Sequence, residues 1–479
     1  MTKNVKDHVK SAGVIDVKDV ISTMMEKARS AMKTFNGYCQ EQVDEVVQAV
    51  AWAIYKPGHA EALAELALME TGLGCYDDKV TKKRRKTLGT LRDLKGAKSV
   101  GVINVDVAKG ITEIAKPVGV VAAVVPSTNP GATPANIAMM ALKGRNAIII
   151  APSPKGLTTS QLLLQYIHKE FEKIGAPLDL VQVLPPPVNK AITKELMNQA
   201  DFVTVTGSAN NVYNGQTSGK PNACVGAGNV VSIVDATANI EEAARKIYLS
   251  KTFDNATSCS NDNSVVIEAA VYDEMIAALQ KEGGYLCNQK EKELLQHAMW
   301  IDGKRNSRTV AKDPYVLAKE AGLECAKAKN AKFFMVKETG VGKEYPFSGE
   351  KLAVVLTVYK AADFNEAIEL TKEILQYQGR GHSCGLHTTD ESHIEQIGME
   401  IDVCRLLINQ VQVYGNGGSF NNGLNFTLSM GGGSWAGNNI GENLSYKHFL
   451  NITRVSRVIP EVVPTDEELW STYWNKYGR

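Results

Sequence analysis

From residue 118 onward, short apolar runs alternate with amphipathic stretches, and this alternation constrains the fold more than any other feature of the chain. VGVVAAVV (118–125), NAIIIAP (146–152) and DFVTVTG (201–207) are apolar runs of strand length. GLTTSQLLLQYIHKEFEKIG (156–175) has the three- and four-residue apolar spacing of a helix. Strands that alternate with helices form a parallel sheet with helices on its faces. We therefore predict an α/β protein.

Two further regions extend this pattern. Residues 17–105 have the apolar spacing of consecutive helices, and a second run of strands and helices begins at NVVSIV (229–234). A chain of 479 residues is long enough for two or three domains.

Composition narrows the class of protein. The 53 basic and 52 acidic residues nearly cancel, which argues against a nucleic-acid or anionic-membrane partner. The eight cysteines are scattered without a C-x-x-C pair, so we expect no metal site and a reducing compartment. The first twenty residues lack the apolar core of a secretory signal, and the apolar runs are too short to span a membrane. We expect a soluble, cytoplasmic protein.

The segment SKTFDNATSCSNDNSVVI (250–267) carries the most reactive candidate, Cys259. A thiol presented from a polar loop can ionise and attack a carbonyl carbon, whereas a thiol sunk among aliphatic side chains is inert. The alternative is a small residue with no chemical role.

Four segments, in this order, carry a family resemblance. They are VPSTNPGATPA (125–135), NAIIIAPSPKG (146–156), TVTGSANNV (204–212), and the pair CVGAGNVV (224–231) and NATSCSNDN (255–263). In these segments the chain resembles the coenzyme-A-acylating branch of the aldehyde dehydrogenase superfamily, over most of its length.

The resemblance implies a fold and a domain division. It implies a Rossmann-type cofactor domain (1–228, with a return segment 425–450) and an α/β catalytic domain (229–424) that carries the nucleophile. Segments 106–117 and 451–479 are implied to be oligomerisation strands and a tail, with NITRVSRV (451–458) completing the sheet of a neighbouring subunit.

The resemblance also implies catalytic roles. Cys259 matches the nucleophile, and Asn129 matches the side-chain amide that stabilises the oxyanion. Val225 stands where hydrolytic relatives place the glutamate that activates water, so the acyl group should pass to coenzyme A instead. His382, in GRGHSCGLHTTD, is a candidate to handle the proton of coenzyme A, although an isolated histidine often has only a structural role.

A nicotinamide cofactor, NAD or NADP, is implied by the same resemblance, and no metal is. The cofactor residues are matched motif by motif, and they are Pro126, Ser127, Ser153, Lys155, Thr206, Gly207, Ser208, Gly226, Gly228 and Glu350. No carboxylate follows the strand at 146–152, so Ser153 and Lys155 would tolerate a 2′-phosphate. Lys155 is equally well explained as a surface lysine.

The substrate is less constrained. Thr257, Ser258, Ser260 and Asn261 surround Cys259 with polar groups, which favours a small polar or anionic aldehyde. NATSCSNDNS and YGNGGSFNNGLNFTLSMG look most like the sulfoacetaldehyde dehydrogenase group. Sulfoacetaldehyde and coenzyme A are therefore the expected partners, in a homodimer or homotetramer.

Several alternatives remain open from the sequence. In one alternative, the substrate is acetaldehyde, butanal or succinate semialdehyde. In others the chain is a non-acylating aldehyde dehydrogenase, a non-catalytic member of the superfamily, or a glutamyl-phosphate reductase relative that acts on acyl phosphates.

Overall fold

The structure is a computed structural model and describes residues 16–479. The segment 1–15, to which the expectation of no secretory signal mainly applies, lies outside the described residues. The first part of the described chain contains α1 (Val17–Phe35), α2 (Gln40–Tyr55), α3 (His59–Thr71), α4 (Tyr76–Leu94), β1 (Gly101–Asp106), β2 (Ile111–Pro117), β3 (Val120–Val125), α5 (Ala132–Lys143), β4 (Ala147–Pro152), α6 (Leu157–Ile174), β5 (Val181–Val183), α7 (Lys190–Gln199), β6 (Phe202–Thr206), α8 (Ala209–Gln216) and β7 (Asn222–Val225).

The rest of the chain continues with a second series of strands and helices. It contains β8 (Val230–Val234), α9 (Ile240–Thr252), β9 (Asp262–Glu268), α10 (Tyr272–Lys281), β10 (Gly284–Leu286), α11 (Gln289–Met299), β11 (Trp300–Ile301), β12 (Lys304–Arg305), α12 (Pro314–Glu320), α13 (Ala326–Lys329), β13 (Phe333–Lys337), β14 (Val355–Ala361), α14 (Phe364–Tyr377), β15 (Cys384–His387), α15 (Glu391–Glu400), β16 (Leu406–Ile408), α16 (Gln412–Gly415), β17 (Leu450–Ser456) and α17 (Asp466–Tyr477).

The first sheet has five parallel strands in the order β5-β4-β3-β6-β7. Every residue of β3 and β4 is buried, as expected for parallel strands covered on both faces. Helix α6 ends at Gly175, whose φ of 68° lets the backbone leave the helix toward β5. This sheet confirms the α/β prediction.

The second sheet has seven parallel strands in the order β10-β13-β14-β9-β8-β15-β16. Two apolar clusters pack around it, one including Phe333 and Phe334 and the other including Tyr359 and Leu386. Strand β9, which follows the Cys259 loop, is buried throughout and pairs with both β8 and β14.

A third, antiparallel sheet has the order β1-β2-β17. The prediction of helices over 17–105 is wrong at its end, because helices stop at Leu94 and β1 begins at Gly101. In the segment GVINVD, apolar and polar side chains alternate from Ile103 to Asp106, and the segment pairs with β2. Strand β17 also pairs with β2 of its own chain, from Leu450 opposite Pro117 to Ser456 opposite Ile111.

The loop Gly226–Asn229 runs from the carboxyl end of β7 to the amino end of β8 and so joins the two large sheets. The loops at the carboxyl edge of the first sheet lie next to the loops that precede the strands of the second sheet. Between residues 16 and 479, no helix is both long and apolar enough to cross a membrane.

Candidate active site

A cleft of about 390 Å³ lies between the two large sheets. Its walls are the loops after β3, β6 and β7, the loop before β9, the segments before β14 and β15, and one face of α4. Ligands of open parallel sheets bind at the carboxyl ends of the strands, so this position is the expected one for a binding site.

Cys259 lines this cleft and is half-buried. The Sγ atom of Cys259 lies 3.3 Å from Nε2 of His382, whose Nδ1 lies 2.7 Å from the Ser383 hydroxyl. If Nδ1 carries the hydrogen and donates it to Ser383, Nε2 is free to accept the thiol proton. Of the other cysteines, Cys224 and Cys384 are fully buried and do not line the cleft.

Electrostatics keep this pair uncharged in the absence of ligands. Burial raises the pKa of Cys259 to about 12, the Glu350 charge adds to the rise, and the Arg405 charge opposes it. Burial, followed by the charge of Arg405, lowers the pKa of His382 to about 3. The site therefore rests as a thiol beside a neutral imidazole.

The Asn129 side chain, which lines the cleft with Cys259, is held by Lys82. Lys82 Nζ donates to Asn129 Oδ1 at 3.0 Å, and Asn129 Nδ2 makes only a long contact of 3.4 Å with the Thr128 hydroxyl. Because the ammonium takes the amide oxygen, the amide nitrogen remains available as a donor to a ligand oxygen.

Lys82 is itself fixed by the loop that precedes the nucleophile. Asp254 is fully buried and accepts hydrogen bonds from Lys82 at 2.6 Å, Lys79 at 3.2 Å and Thr257 at 2.8 Å. Burial opposes ionisation of Asp254, but the two lysines hold its pKa below the usual value. Asp254 and the two residues after it have φ of 50°, 50° and 60°, a left-handed turn that this ion cluster stabilises just before Cys259.

Glu350 is the one carboxylate among the described residues that line the cleft. Its Oε1 accepts from the Gly228 amide at 3.2 Å and its Oε2 from Arg305 at 3.1 Å. Gly228 packs against the nucleophile loop, because a Cβ there would lie 2.3 Å from the Cys259 carbonyl oxygen and 3.1 Å from His382 Nε2. Both oxygens of the carboxylate are thus engaged.

The structure brings most of the predicted site residues together. The residues that line the cleft are Cys259, Asn129, Pro126, Ser127, Thr206, Gly207, Ser208, Gly226 and Glu350. His382 lines an adjoining cleft of about 370 Å³ and reaches Cys259 from there.

Ser153 and Lys155 do not line the cleft. They follow β4, the neighbour of β3, with Ser153 half-buried and Lys155 exposed. Val225, at the end of β7, is buried and also outside the lining, so no acidic side chain stands at that position.

The expectation that all the polar residues near Cys259 face the substrate is wrong for the amide. Thr257, Ser258 and Ser260 line the cleft, but Asn261 is buried and its Nδ2 donates to the Ser250 carbonyl. A buried amide nitrogen needs an acceptor within the protein, and here the backbone at the end of α9 supplies it.

The glycine- and asparagine-rich run 415–423 contributes glycines to the cleft, and two of its asparagines hold the loop together. Gly417 and Gly418 line the cleft. Asn421 accepts from the Ser419 hydroxyl, and Asn422 donates to Gln410, so both amides stabilise their own loop.

Sequence reasoning missed three cations on α4, namely Lys82, Arg85 and Lys86, all of which line the cleft. The signal was the KKRRK run at 82–86, which resembles the solvated face of a surface helix. The acidic partner of Lys82 lies 172 residues away along the chain, so no local pattern indicates its burial.

One group of potential metal ligands, Asp235, Glu268 and His393, lies outside the cleft. Asp235 accepts from Thr237, Thr388 and His393, and the His393 ring stacks on Phe364. These contacts explain Asp235 and His393 as members of a hydrogen-bond network, and the absence of a metal stays a prediction.

Comparison with known proteins gives concordant results. Residues 2–423 match the description of the aldehyde dehydrogenase family. The chain is 50% identical over 461 residues to a sulfoacetaldehyde dehydrogenase (acylating) of Cupriavidus necator, covering 96% of this chain and 94% of that one. It is 40% identical to the protein of that name from Bilophila wadsworthia, covering 96% and 99%. The crystal structure of an acetylating aldehyde dehydrogenase from Geobacillus thermoglucosidasius superposes with a TM-score of 0.90 at 33% identity, covering 94% and 98%.

Proposed function

We propose, from the premise that this chain belongs to the aldehyde dehydrogenase family, that it oxidises a small anionic aldehyde and transfers the acyl group to coenzyme A. The enzyme is a coenzyme-A-acylating aldehyde dehydrogenase that uses NAD or NADP, and sulfoacetaldehyde is its substrate. The reaction is reversible, and its product in this direction is the acyl-coenzyme A.

One observation carries this proposal. Cys259 lies in hydrogen-bond range of His382 and shares its cleft with the Asn129 amide, while the single carboxylate of the lining is tied to Arg305 and Gly228. A nucleophile, a base and an oxyanion donor are present together. Among the described residues that line the cleft, no free carboxylate is available to activate water against a thioester.

The first half of the reaction forms a bond between the enzyme and the aldehyde. As Cys259 attacks the carbonyl carbon, its proton passes to His382 Nε2, and the carbonyl oxygen becomes an alkoxide that Asn129 Nδ2 stabilises. Removing such a donor typically costs about 3 kcal/mol of transition-state stabilisation. A bound nicotinamide would supply the hydride acceptor that converts the thiohemiacetal into a thioester.

The second half transfers the acyl group. The coenzyme A thiol attacks the thioester carbonyl, Cys259 leaves as the thiolate, and the acyl group becomes attached to coenzyme A. His382 is the base nearest the reacting sulfur. After its imidazolium has released the first proton to solvent, His382 takes the proton of the incoming thiol and returns it to the Cys259 thiolate.

A dinucleotide fits the observed chain at the edge of the first sheet. Strand β3 pairs with both β4 and β6, so the connections after β3 and β6 leave on either side of a crevice. Pro126 and Ser127 follow β3. Thr206, Gly207 and Ser208 lead into α8, whose amino-terminal amides suit a pyrophosphate.

The other cofactor residues are assigned from their positions relative to the strands. Glu350 and the glycines Gly226 and Gly228 hold the nicotinamide end of the cofactor, and Ser153 and Lys155 face the adenosine ribose at the end of β4. The absence of a carboxylate in that turn supports NADP as well as NAD.

The domain division follows the sheets. Residues up to 228, with the return segment 425–450, form the cofactor domain around the five-stranded sheet, and 229–424 form the catalytic domain around the seven-stranded one. We place the enzyme in the cytoplasm, since all eight cysteines are free. The antiparallel sheet and the tail after it are the subunit contact of a homodimer or homotetramer.

An aldehyde panel tests the function. Sulfoacetaldehyde, acetaldehyde, butanal and succinate semialdehyde are each mixed with enzyme and NAD or NADP, with and without coenzyme A, and NAD(P)H is measured. We expect steady NAD(P)H formation only with coenzyme A, with the highest kcat/KM for sulfoacetaldehyde. Without coenzyme A, a burst equal to the amount of enzyme is expected.

Two variants complete the test. Cys259→Ala should lose all turnover, and Cys325→Ala, which changes an exposed thiol, should retain it. Steady turnover to the free acid without coenzyme A, or substantial activity of Cys259→Ala, would contradict the proposal. A higher kcat/KM for butanal would overturn the substrate and leave the acylating chemistry intact.

A further inference from the structure

Some of the charged side chains that line the cleft are paired with an opposite charge, and others are not. At one end Arg305 pairs with Glu350 at 3.1 Å, and Lys82 pairs with Asp254 at 2.6 Å. Arg85 and Lys86, on the α4 wall, have no carboxylate within 4.0 Å in the part of the chain that the structure describes. Two basic side chains therefore face the cleft without a paired carboxylate among residues 16–479.

Arg85 is held by aromatic rings. Its guanidinium carbon lies 5.0 Å from the centroid of the Tyr414 ring and 5.4 Å from that of Phe420. Contact with ring faces restrains a guanidinium and leaves its N–H groups free to donate to oxygens. Such a planar donor set binds oxyanions with two parallel hydrogen bonds.

Lys86 is held by the backbone of the loop after α16. Its Nζ donates to the Gly417 carbonyl at 2.6 Å and lies 5.4 Å from the Phe426 ring centroid. A Cβ at position 417 would lie 2.6 Å from this Nζ, so the glycine permits the approach. An ammonium has three donors, and the single hydrogen bond to the protein leaves two for a ligand.

Lys86 lines the same cleft as Cys259. Burial lowers the pKa of Lys86 to about 7, the charges of Arg85 and Lys82 act in the same direction, and the charges of Cys259 and Asp93 oppose the change. An anion bound in this cleft therefore favours the charged form of Lys86.

We propose that Arg85 and Lys86 bind the anionic head group of the aldehyde, with Arg85 and Lys86 donating to the oxygens of the sulfonate. This inference rests on the proposed function, because it assigns the residues that select its substrate. A sulfonate is separated from the aldehyde carbon by one methylene, so its binding group must stand beside the nucleophile. Arg85 and Lys86 are two donors without an ion-pair partner in the cleft that Cys259 lines, whereas Lys82 is already engaged by Asp254, Asn129 and Thr257.

Paired kinetics test the inference. The variants are Arg85→Gln and Lys86→Met, and the control is Arg84→Gln, which removes an exposed cation from the same helix that pairs with Glu61 outside the cleft. The kcat/KM is measured for sulfoacetaldehyde and for neutral acetaldehyde at saturating coenzyme A. Lost bonds to a charged group should lower the value for sulfoacetaldehyde by roughly 10- to 100-fold in each cleft variant.

The value for acetaldehyde should change by less than about threefold, since this substrate has no anion to lose. The control should leave both substrates within about threefold. An equal loss on both aldehydes would make Arg85 and Lys86 supports of the fold and overturn the assignment.

A measurement without turnover separates this inference from the proposed function. Ethanesulfonate should slow the alkylation of Cys259 by iodoacetamide in the unmodified enzyme and in Arg84→Gln, and should protect Lys86→Met at least about tenfold less well. Protection without coenzyme-A-dependent activity would refute the function and support the anion site. Coenzyme-A-dependent activity without protection would refute the anion site alone.

Discussion

At the scale of single residues, the site depends on an ammonium that orients an amide. Lys82 contacts Asn129 Oδ1, Asp254 Oδ2 and the Thr257 hydroxyl at once. It therefore links the oxyanion donor to the left-handed turn before Cys259. Lys79 contacts the same Asp254 oxygen and does not touch Asn129, which makes it a matched comparison.

Replacing Lys82 with Met should lower kcat by about 10- to 100-fold, because the Asn129 amide loses the contact that keeps its nitrogen directed at the ligand. Lys79→Met, which removes the other half of the ion cluster, should change kcat by less than about fivefold. Steady-state kinetics on the two variants, with circular dichroism to check folding, give the comparison.

A double variant provides the control for this prediction. If Lys82 acts through the amide, Lys82→Met should slow an Asn129→Ala enzyme by less than about twofold. Independent losses that multiply in the double variant would show that Lys82 does not act through Asn129.

At the scale of elements, the antiparallel sheet presents an incomplete surface. Strand β17 lies at its edge, with β2 on one side only. No residue from 457 to 479 is buried, and the exposed apolar side chains of this tail are Val458, Ile459, Val462, Val463, Leu469, Trp470, Tyr473 and Tyr477. An exposed strand edge and a concentration of exposed apolar side chains both favour association.

We expect deletion of residues 457–479 to lower the molar mass of the assembly in solution, because the deletion removes this apolar surface and leaves β17 in place. Light scattering after size-exclusion chromatography at micromolar concentration measures the effect. Met399→Lys, which changes an isolated exposed methionine on α15, is the control and should leave the mass unchanged. A fully active enzyme that is monomeric before the deletion would contradict the prediction.

At the scale of the whole molecule, two buried histidines make the stability of the fold depend on pH. Burial lowers the pKa of His382 to about 3 and that of His387 to about 4, from an ordinary value of 6.5. Between about pH 6.5 and pH 4 the unfolded chain binds protons at these positions that the folded chain does not. The free energy of unfolding should therefore decrease as the pH falls, by at most about 1.4 kcal/mol per pH unit for each histidine.

The contribution of His387 can be isolated by substitution. His387→Asn should reduce the loss of stability between pH 7 and pH 4.5, as measured by guanidinium unfolding midpoints at several pH values, and should leave activity at pH 7.5 nearly unchanged. Identical pH dependence in the variant and the unmodified enzyme would show that this ring is protonated in the folded state or titrates without cost.

The sequence by itself determined the features that depend on local order. The apolar runs at 118–125 and 146–152 are continuous because both faces of a parallel strand are buried, so strands and helices were predicted with little dependence on context. Thr206 is the last residue of β6, Gly226 directly follows β7, and Asn129 lies in the loop after β3; parallel strands bring their carboxyl ends to one edge. The family resemblance supplied the roles of these residues and of Cys259.

Only the tertiary structure determined which polar side chains, distant in sequence, contact each other. His382 contacts Cys259 across 123 residues, and Lys82 contacts Asp254 across 172. The sequence around a lysine in a polar helix is the same whether its ammonium contacts water or a buried carboxylate. Burial of the lysine depends on its interaction with that carboxylate, which local sequence does not reveal. For this reason the sequence did not indicate that the cations of α4 line the cleft. Their position, on which the proposed selection of an anionic substrate rests, was found only in the tertiary structure.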